Sequence, residues 1–353
     1  MTFSLLKAGR SDQVLAIDLG TRTTKAVLLN RKDKGMSLAR FNVQDAPIYD
    51  KAMPQGLLTE HLRNMVEALQ PRTKNATIAI GANDSILRSA ELPLLPLPEM
   101  RQMLKFNAKN YLQQDLRDYV FDCCIVPPRG KAQPEAGKGG IVKYKVWVGG
   151  ARREVLLNIE SAAKEAGLLP NQVTLAVLGP INALELAQPE VFNKEIIALV
   201  DLGFRTSSIS ILDKGELCLS RSVEIGGDKL TTGLAEAMNV SYAEAEGIKM
   251  GMPKEVEVHL QPLVAPLGRE LRASIDFFEH QREVTVGKIL VSGGAARSEF
   301  ILQLLQTELA LPCKAWFPTQ GLELSLSPQQ MTEVEQVSAT LTVAIGSAAM
   351  SLS

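Results

Sequence analysis

The sequence is poor in the residues that mark secreted, metal-binding and membrane-spanning proteins. Its four cysteines, one adjacent pair and two isolated residues, indicate neither a disulfide framework nor metal-ligand spacing. The three histidines are scattered. No stretch approaches the ~20 apolar residues of a membrane helix. A net charge of −1 argues against general affinity for nucleic acid or anionic lipid. These absences predict a globular protein of a reducing compartment, the cytoplasm, without direct membrane insertion.

The sequence does contain a polar turn that occurs twice. Asp18-Leu19-Gly20-x-Arg22-Thr23 follows one apolar strand, and Asp201-Leu202-Gly203-x-Arg205-Thr206 follows another. Each turn precedes a second strand, and each half of the chain continues into helices. A single turn of this kind is typical of an ordinary hairpin. A matched pair indicates a duplicated α/β unit, and 353 residues are enough for two such units.

The domain limits are predicted from where this pattern breaks. The first half takes residues 1–190 and 328–353, and the second half takes residues 191–327. An inserted α+β subdomain occupies about residues 86–168, since a proline cluster at 93–98 marks a boundary near its start and Gly167 ends its last helix. The apolar C-terminal segment is predicted to be a buried helix that starts at a capping box of Thr332 and Glu335.

A glycine-rich segment at residues 127–140 superficially resembles a phosphate-binding loop. That loop requires Gly and then Ser or Thr at positions where this chain has Ala132 and Gly139. We therefore predict a hairpin tip between two strands.

The two turns carry groups suited to a phosphate chain. Backbone N–H groups around Gly20 and Gly203, with the hydroxyls of nearby threonines, can donate to an anion. Lys25 adds a positive charge. Carboxylates at strand ends, here Asp18 and Asp201, commonly hold Mg²⁺ through its waters. Facing each other, the turns would hold phosphates from both sides with the metal between them.

Three further motifs follow in the second half. Gly226-Gly227 precedes a helix, where N–H groups can approach an anion. Glu246 and Lys249 lie three apart on one helical face, able to reach a ribose and a base. Gly293-Gly294 follows a buried strand and leaves room for a flat ring, on which Arg297 could stack. Taken singly, these motifs are typical of a tight turn, a solvated helical pair and a helix start.

In this order the motifs resemble the two phosphate motifs and the adenosine motif of the actin-like ATPase superfamily. Within it the likeness is greatest to the PilM family of type IV pilus assembly proteins, and next to the FtsA cell-division proteins. The segments "LKFNAKNYL" at 104–112 and "EIGGDKLTTGLAEAMNVSYAEAEGIK" at 224–249 carry this likeness. The resemblance implies a duplicated actin-like, RNase H-like fold around a nucleotide cleft. The implied ATP-binding residues are Asp18, Gly20, Thr21, Thr23, Lys25, Asp201, Gly203, Thr206, Gly226, Gly227, Glu246, Lys249, Gly293, Gly294, Ala295 and Arg297, with Asp18 and Asp201 also holding Mg²⁺ through water.

The resemblance also implies a cytoplasmic protein with membrane-bound partners. It would dock the cytoplasmic tail of a PilN-like inner-membrane protein in a groove beside the inserted subdomain. It would thereby lie at the inner membrane and link that complex to the pilus motor ATPases. No nucleic-acid partner is implied.

The sequence departs from the family at the helix between the halves. The family usually has acidic residues there, whereas this chain has Leu178, Gly179, Pro180 and Ile181 before the first polar residue, Asn182. A water-activating carboxylate is missing, so at most a weak ATPase is expected. Asn107 and residues 113–115 also depart from the family, which points to a different partner tail, and Ala295 stands where the adenosine motif of the family often has a third Gly.

Three other functions remain open at this stage. An FtsA-like division protein would end in a basic amphipathic helix, which this chain lacks. A sugar or acetate kinase of the same fold would need catalytic groups for which there is no candidate beyond Asp18 and Asp201. A relative that binds no nucleotide is the third, and the retained Lys25 and Asp201 argue against it.

Overall fold

The strands and helices follow the predicted order closely. A computed structural model describes residues 12–33, 35–50, 52–127, 142–251 and 256–352. The predicted hairpin tip at 127–140 therefore falls almost entirely outside the described residues. The first half opens with β1 (Gln13–Leu19), β2 (Thr23–Lys32), β3 (Gly35–Asp45), α1 (Gln55–Leu69) and β4 (Asn75–Ile80). Then come β5 (Ser85–Pro93), α2 (Leu97–Leu112), β6 (Tyr119–Ile125), β7 (Lys143–Arg152), α3 (Arg153–Glu165), β8 (Leu169–Leu175), α4 (Gly179–Ala187) and α5 (Pro189–Lys194).

The second half repeats the plan. It contains β9 (Ile196–Leu202), β10 (Ser207–Asp213), β11 (Glu216–Val223), α6 (Gly227–Met238), α7 (Tyr242–Gly251), α8 (Glu257–Arg282), β12 (Lys288–Gly293), α9 (Glu299–Leu309) and β13 (Cys313–Ala315). The chain ends with β14 (Glu323–Leu324), α10 (Pro328–Val337) and α11 (Thr342–Leu352).

The two large sheets have the same topology. The first has the strand order β14-β3-β2-β1-β4-β8, and the second has the order β11-β10-β9-β12-β13. In each sheet an antiparallel meander of three strands is continued by two parallel strands, and β14 only extends the first sheet by one short strand. The predicted duplication is therefore confirmed at the level of strand order and direction.

The first strand of each half, β1 or β9, is apolar on both faces because the protein core covers both sides of it. In β1, Leu15 and Ile17 pack toward α1 and α3, while Val14 and Ala16 face the core shared with α4 and α11. In β9 the same alternation separates the second-half core from the shared core. Packing on both faces therefore holds β1 and β9 in place up to the residues where their polar turns begin.

The inserted sheet has the order β5-β7-β6 and is covered by α2. The buried face of α2 is formed by Met100, Leu104, Ala108 and Leu112, while Tyr111 is 40% exposed. Strand β5 was not predicted, because its end merges into the proline cluster. Pro93 is tolerated there since it ends an edge strand.

Helix α3 packs away from this inserted sheet. Its buried residues Ile159, Ala162 and Ala163 join the first-half core with Leu58 and Leu62 of α1. This packing favours an insertion that ends near β7, earlier than residue 168. The domain limits themselves stay a prediction.

The inserted sheet also contacts the second half. The indole Nε1 of Trp147 donates to Leu217 O at 3.1 Å, and Lys145 Nζ donates to Cys218 O at 2.6 Å. Trp147 is fully buried in the core that both halves share. The insertion is therefore fastened to both halves through β7.

The C-terminal helix is buried as predicted, but its start is different. Ser327 caps α10, accepting from Gln330 N at 3.3 Å, so the capping box expected at Thr332 lies inside that helix and is wrong. A short 3-10 segment then leads to α11. Helix α11 crosses α4 so closely that a Cβ atom on Gly179 or Gly346 would overlap the other helix's backbone.

Candidate functional site

The first polar turn joins β1 to β2 and carries an ion pair. Asp18 stands opposite Lys25 in the antiparallel register, and Lys25 Nζ lies 3.3 Å from Asp18 Oδ2. Both side chains are largely buried, 16% exposed for Lys25 and 7% for Asp18. A Cβ atom on Gly20 would lie 2.7 Å from Lys25 Nζ, so the glycine makes room for the ammonium. Thr21 at the tip is exposed and Thr23 is half-buried.

The second turn joins β9 to β10 with the same register but different partners. Asp201 stands opposite Ser208 on β10 and Ser292 on β12. Ser292 Oγ donates to Asp201 Oδ1 at 2.8 Å. Burial raises the pKa of the Asp201 carboxyl, and the hydrogen bond from Ser292 opposes that rise. Asp201 is therefore bonded by the hydroxyl of Ser292, whereas Asp18 is paired with the ammonium group of Lys25.

The two turns face each other. The charge of Asp18 further raises the pKa of Asp201, and the charge of Lys25 lowers it, so the three groups share one electrostatic environment. The Arg22 guanidinium of the first turn lies 5.8 Å from the ring centroid of Phe204 in the second. Arg22 and Phe204 were not among the predicted site residues. The signal in the sequence that could have identified Arg22 was the arginine at the same place in both turns, Arg22 and Arg205.

The Gly226-Gly227 segment packs directly on the second turn. Gly227 N donates to Gly203 O at 2.9 Å, and Asp228 N donates to Phe204 O at 2.9 Å. A Cβ atom on Gly226 would overlap the Phe204 carbonyl, so this position requires glycine. The Gly226-Gly227 segment is part of the site, but the amide groups of Gly227 and Asp228 already donate to backbone carbonyls of the second turn.

Lys249 and Glu246 are linked to this segment by a hydrogen-bond network. Lys249 is 3% exposed, and its Nζ donates to Thr231 Oγ1 and Glu246 Oε2, both at 2.7 Å. Thr231 Oγ1 donates to Glu246 Oε2 at 2.5 Å. Partial burial raises the pKa of Glu246, but the hydrogen bonds from Lys249 and Thr231 outweigh this and leave it lowered. Lys249 therefore fixes the position of Glu246, whose side chain is 47% exposed. The family resemblance was the only sequence signal for Thr231.

The Gly293-Gly294 segment lies beside the second turn. Gly293 pairs with Leu202 in the parallel register and has a φ of +92°, and a Cβ atom there would overlap Leu202 O. Gly294 has open space where a side chain would stand. Ala295 is buried in the second-half core, while Arg297 is exposed. The departure at Ala295 therefore adds its methyl group to the core.

The helix between the halves provides no acid at its start. Gly179, Pro180 and Ile181 are buried at the beginning of α4. The amide nitrogen of Asn182 is buried without a hydrogen-bond partner among the described residues. An amide cannot take a proton from water, so none of these residues at the start of α4 can act as a general base.

Besides the cleft between the two polar turns, a concave region lies between the insertion and the rest of the first half. Its lining comes from β4, β6, β7, α3 and β8: Ile80, Val120, Phe121, Asp122, Gly149, Gly150, Ala151, Leu156, Val173, Thr174 and Leu175. Arg101 of α2 donates from Nε and Nη2 to the two oxygens of Asp122 at 2.8 and 3.1 Å, which holds α2 against β6. This mostly apolar groove holds only about 30 Å³, so it is a small crevice beside the insertion and not a channel for an extended chain segment.

Metal clusters and membrane helices are not found in the described ranges. No group of three or more His, Cys, Asp or Glu side chains within them could hold a metal ion. None of the helices described here combines the length and apolar character needed to cross a membrane.

Comparisons with known proteins agree on the fold. A chain of the PilM-PilN type IV pilus biogenesis complex matches with a TM-score of 0.82 at 20% identity, covering 98% of this chain and 100% of that chain. The ethanolamine utilization protein EutJ from Carboxydothermus hydrogenoformans matches with a TM-score of 0.54 at 15% identity, covering 98% and 92%. MreB5 of Spiroplasma citri bound to AMPPNP matches at 0.51 and 11% identity, covering 96% and 95%. The predicted two-lobed actin-like fold is confirmed.

Sequence comparison distinguishes between the families named above. Cell division protein FtsA of Rhizobium meliloti (strain 1021) is 26% identical over 186 residues, which cover 51% of this chain and only 40% of FtsA. A family model described as type IV pilus assembly protein PilM matches residues 16–352, from β1 to the end of α11. That match includes both polar turns, the insertion and the Gly293-Gly294 segment, and the chain therefore belongs to the PilM family of type IV pilus assembly proteins.

Proposed function

We propose that this chain is an ATP-binding scaffold of type IV pilus assembly that holds nucleotide between its two polar turns and docks a membrane protein beside its insertion. The observation that carries the nucleotide site is that the two turns meet, since the Arg22 guanidinium of the first turn lies 5.8 Å from the Phe204 ring centroid of the second, and the first turn also holds the Asp18–Lys25 ion pair. The MreB5 neighbour, which was solved bound to AMPPNP, supports nucleotide binding by a chain of this fold.

Each part of the cleft would contact a different part of ATP. Lys25 and the threonine hydroxyls Thr21, Thr23 and Thr206 would donate to the phosphates. Glu246, with its exposed oxygen, would accept from the ribose hydroxyls, while Lys249 holds Glu246 in place. The open surface at Gly294 would accept the adenine ring.

The donor set also fits a magnesium ion. Asp18 and Asp201 are hard oxygen ligands that face one another, and Mg²⁺ bound through water needs only one or two carboxylates. When bound, the metal would neutralise charge on the phosphates. Asp201 has the greater need of it, because within the described part of the chain Ser292 is the side chain that donates to its carboxyl.

Slow hydrolysis follows from the start of α4. Asn182 can orient a water molecule but cannot deprotonate it. We expect turnover below roughly 1 s⁻¹, the lower end for enzymes. Phosphate release faster than this would instead favour a kinase or motor function.

Calorimetric titration with MgATP tests the nucleotide site. Lys25→Ala and Asp201→Ala should each weaken binding about 10–100-fold, since each removes a charged contact. Lys314→Ala, which removes an exposed lysine from β13, is the matched control and should bind like the wild-type chain. Absence of heat with the wild-type chain would refute the nucleotide site.

The partner proposal rests on family membership and on the groove between the insertion and the first half. The matched PilM chain was solved as a PilM-PilN complex. We infer that the cytoplasmic tail of a PilN-like inner-membrane protein lies over the groove, which has room for at most one small apolar side chain of the tail. The chain would then lie at the cytoplasmic face of that membrane and connect its partner to the pilus motor ATPases.

Two neighbouring leucines allow a sharp test of the groove. Leu156 lines it, whereas Leu157 is 56% exposed and is not part of its lining. The bait is the N-terminal tail peptide of the bitopic membrane protein that is encoded beside this chain. In a pull-down with this peptide, Leu156→Glu should abolish capture and Leu157→Glu should retain it. Equal capture by both variants would place the tail elsewhere.

A further inference from the structure

A basic pocket lies on the first half, far from the cleft. It occupies about 750 Å³, and its lining includes Asp12, Gln13, Arg31, Lys32, Arg40 and Arg72. These residues come from the start of β1, the end of β2, the middle of β3 and the loop after α1. Since β1 has seven residues at ~3.3 Å each, Gln13 and the polar turn lie ~20 Å apart. The pocket is therefore separate from the nucleotide cleft.

The charge of this pocket is strongly positive. Arg31, Lys32, Arg40 and Arg72 line it together with a single carboxylate, Asp12. The chain as a whole carries a net charge of −1, so the cluster does not reflect a general excess of cations. Lys32 does pair with Glu323, but at 3.7 Å and with both side chains about half exposed or more, which gives weak compensation. The pocket offers an attractive potential to an anion.

The walls of the pocket are fixed by hydrogen bonds. Arg40 Nη1 donates to Leu69 O at 2.7 Å, which anchors its guanidinium at the end of α1. Gln13 Nε2 donates to Asn30 Oδ1 at 2.8 Å, and Gln13 Oε1 accepts from Arg72 N at 3.0 Å. The pocket is thus held in shape by its own side chains.

One donor in this wall has no partner. Arg31 Nε is buried and has no hydrogen-bond acceptor among the described residues. Because Nε is closed off from solvent, an anion in the pocket would meet only the more accessible part of Arg31, which is half-buried as a whole.

We propose that this basic pocket binds a phosphate group, carried either by a free small molecule or by a lipid headgroup. Arginine guanidinium groups bind phosphate oxygens with paired N–H donors, and Arg31 and Arg72 are the residues assigned to that contact. The volume exceeds that of a single phosphate and falls in the range of pockets for small ligands. Several cations match a multiply charged phosphate group better than a single carboxylate.

The test uses the full chain with two kinds of probe. Pyrophosphate titrated in a calorimeter represents a free phosphate. Vesicles of phosphatidylcholine with or without phosphatidylglycerol, examined by co-sedimentation, represent the lipid source. Saturable binding of either probe is expected, and the probe that binds identifies the source.

Three variants assign the binding to this pocket. Arg31→Gln and Arg72→Gln should each weaken it about tenfold, as expected for loss of a charged hydrogen bond. Arg72 is exposed, so its variant remains informative if Arg31→Gln is poorly folded. Lys74→Gln removes an exposed charge two residues beyond Arg72 and outside the lining, and it should change affinity less than about twofold.

The nucleotide cleft provides the last control. Pyrophosphate can also bind between the two polar turns, so any binding that Lys25→Ala removes belongs to the cleft, whereas the binding that Arg31→Gln and Arg72→Gln weaken should persist in Lys25→Ala. Loss of binding in that variant with retention in Arg31→Gln and Arg72→Gln would overturn the proposal, because the cleft would then be the site. Absence of saturable binding to both probes, or an equal loss in Lys74→Gln, would also overturn it.

Discussion

The two polar turns have the same motif and the same strand register but differ in the partner of the aspartate. In the first turn Asp18 forms an ion pair with Lys25. In the second turn Ser208 occupies the equivalent register position, and Asp201 is bonded by Ser292. The first turn therefore brings its own cation, whereas the second leaves a buried carboxylate that gains from a cation supplied with the ligand. The duplication has produced two unequal sides of one cleft.

Removing the cation should have the largest effect on this comparison. Lys25→Met leaves Asp18 buried without its partner, and breaking such a pair costs about 3 kcal/mol of unfolding free energy. Urea unfolding measures the loss. The double variant Lys25→Met with Asp18→Asn should regain most of that stability without regaining MgATP affinity. A double variant as unstable as the single one would show that the ion pair is not the cause.

The adjacent glycines beside the second turn should differ sharply. Gly293→Ala forces an alanine to a φ of +92° and against Leu202 O, at a cost of about 2–3 kcal/mol. Gly294→Ala meets no atom, and its stability should change by less than about 0.5 kcal/mol. Thermal unfolding compares the two. We expect Gly294→Ala to weaken nucleotide binding nonetheless, and unchanged binding would place the adenine elsewhere.

Asp201 should make stability depend on pH in a recognisable direction. Its folded-state pKa is raised, so its contribution is fully present below the ordinary value of 3.8 and is lost as pH rises through the higher folded value. Asp201→Asn cannot lose a proton. The stability difference between the variant and the wild-type chain should therefore grow in favour of the variant as pH rises from about 4. Unfolding free energies measured across this range would contradict the assignment if the difference stayed constant.

The arginines of the two turns should show the smallest difference. Arg22→Ala removes the contact with Phe204 across the cleft, and an exposed cation–π pair is worth about 0.5–1 kcal/mol. Arg205→Ala makes the same change at the equivalent place in the second turn and is the matched control. Urea unfolding should separate the two variants. Equal effects would mean that the Arg22–Phe204 contact adds nothing in solution.

Much of the fold followed from local patterns. The apolar runs of β1 and β9, each followed by Asp-Leu-Gly, predicted two equivalent units, and the proline cluster together with Gly167 predicted an insertion in the first. The errors arose where local signals conflict with packing. Prolines concealed β5, and an apparent capping box at Thr332 lay inside α10, because Ser327 had already capped that helix.

The candidate site was less accessible to such reasoning. Asp18, Lys25 and the glycine pairs were recognisable because each motif is continuous in sequence. The partners of these residues were not, since Ser292 reaches Asp201 only through the parallel pairing of β9 with β12. Likewise, the spacing of Glu246 and Lys249 placed them on one face, but it did not reveal that Lys249 is buried against Thr231.

The basic pocket is an extreme case of the same limit. Its four cations lie on three separate segments, and none forms a recognisable motif. Periodicity and short motifs were sufficient for the two-unit plan, the insertion and the chemistry of the turns, because those properties depend on neighbours along the chain. The unequal aspartates, the attachment of the insertion to both halves and the basic pocket depend on residues far apart in sequence, which only folding brings within hydrogen-bonding or Coulombic range.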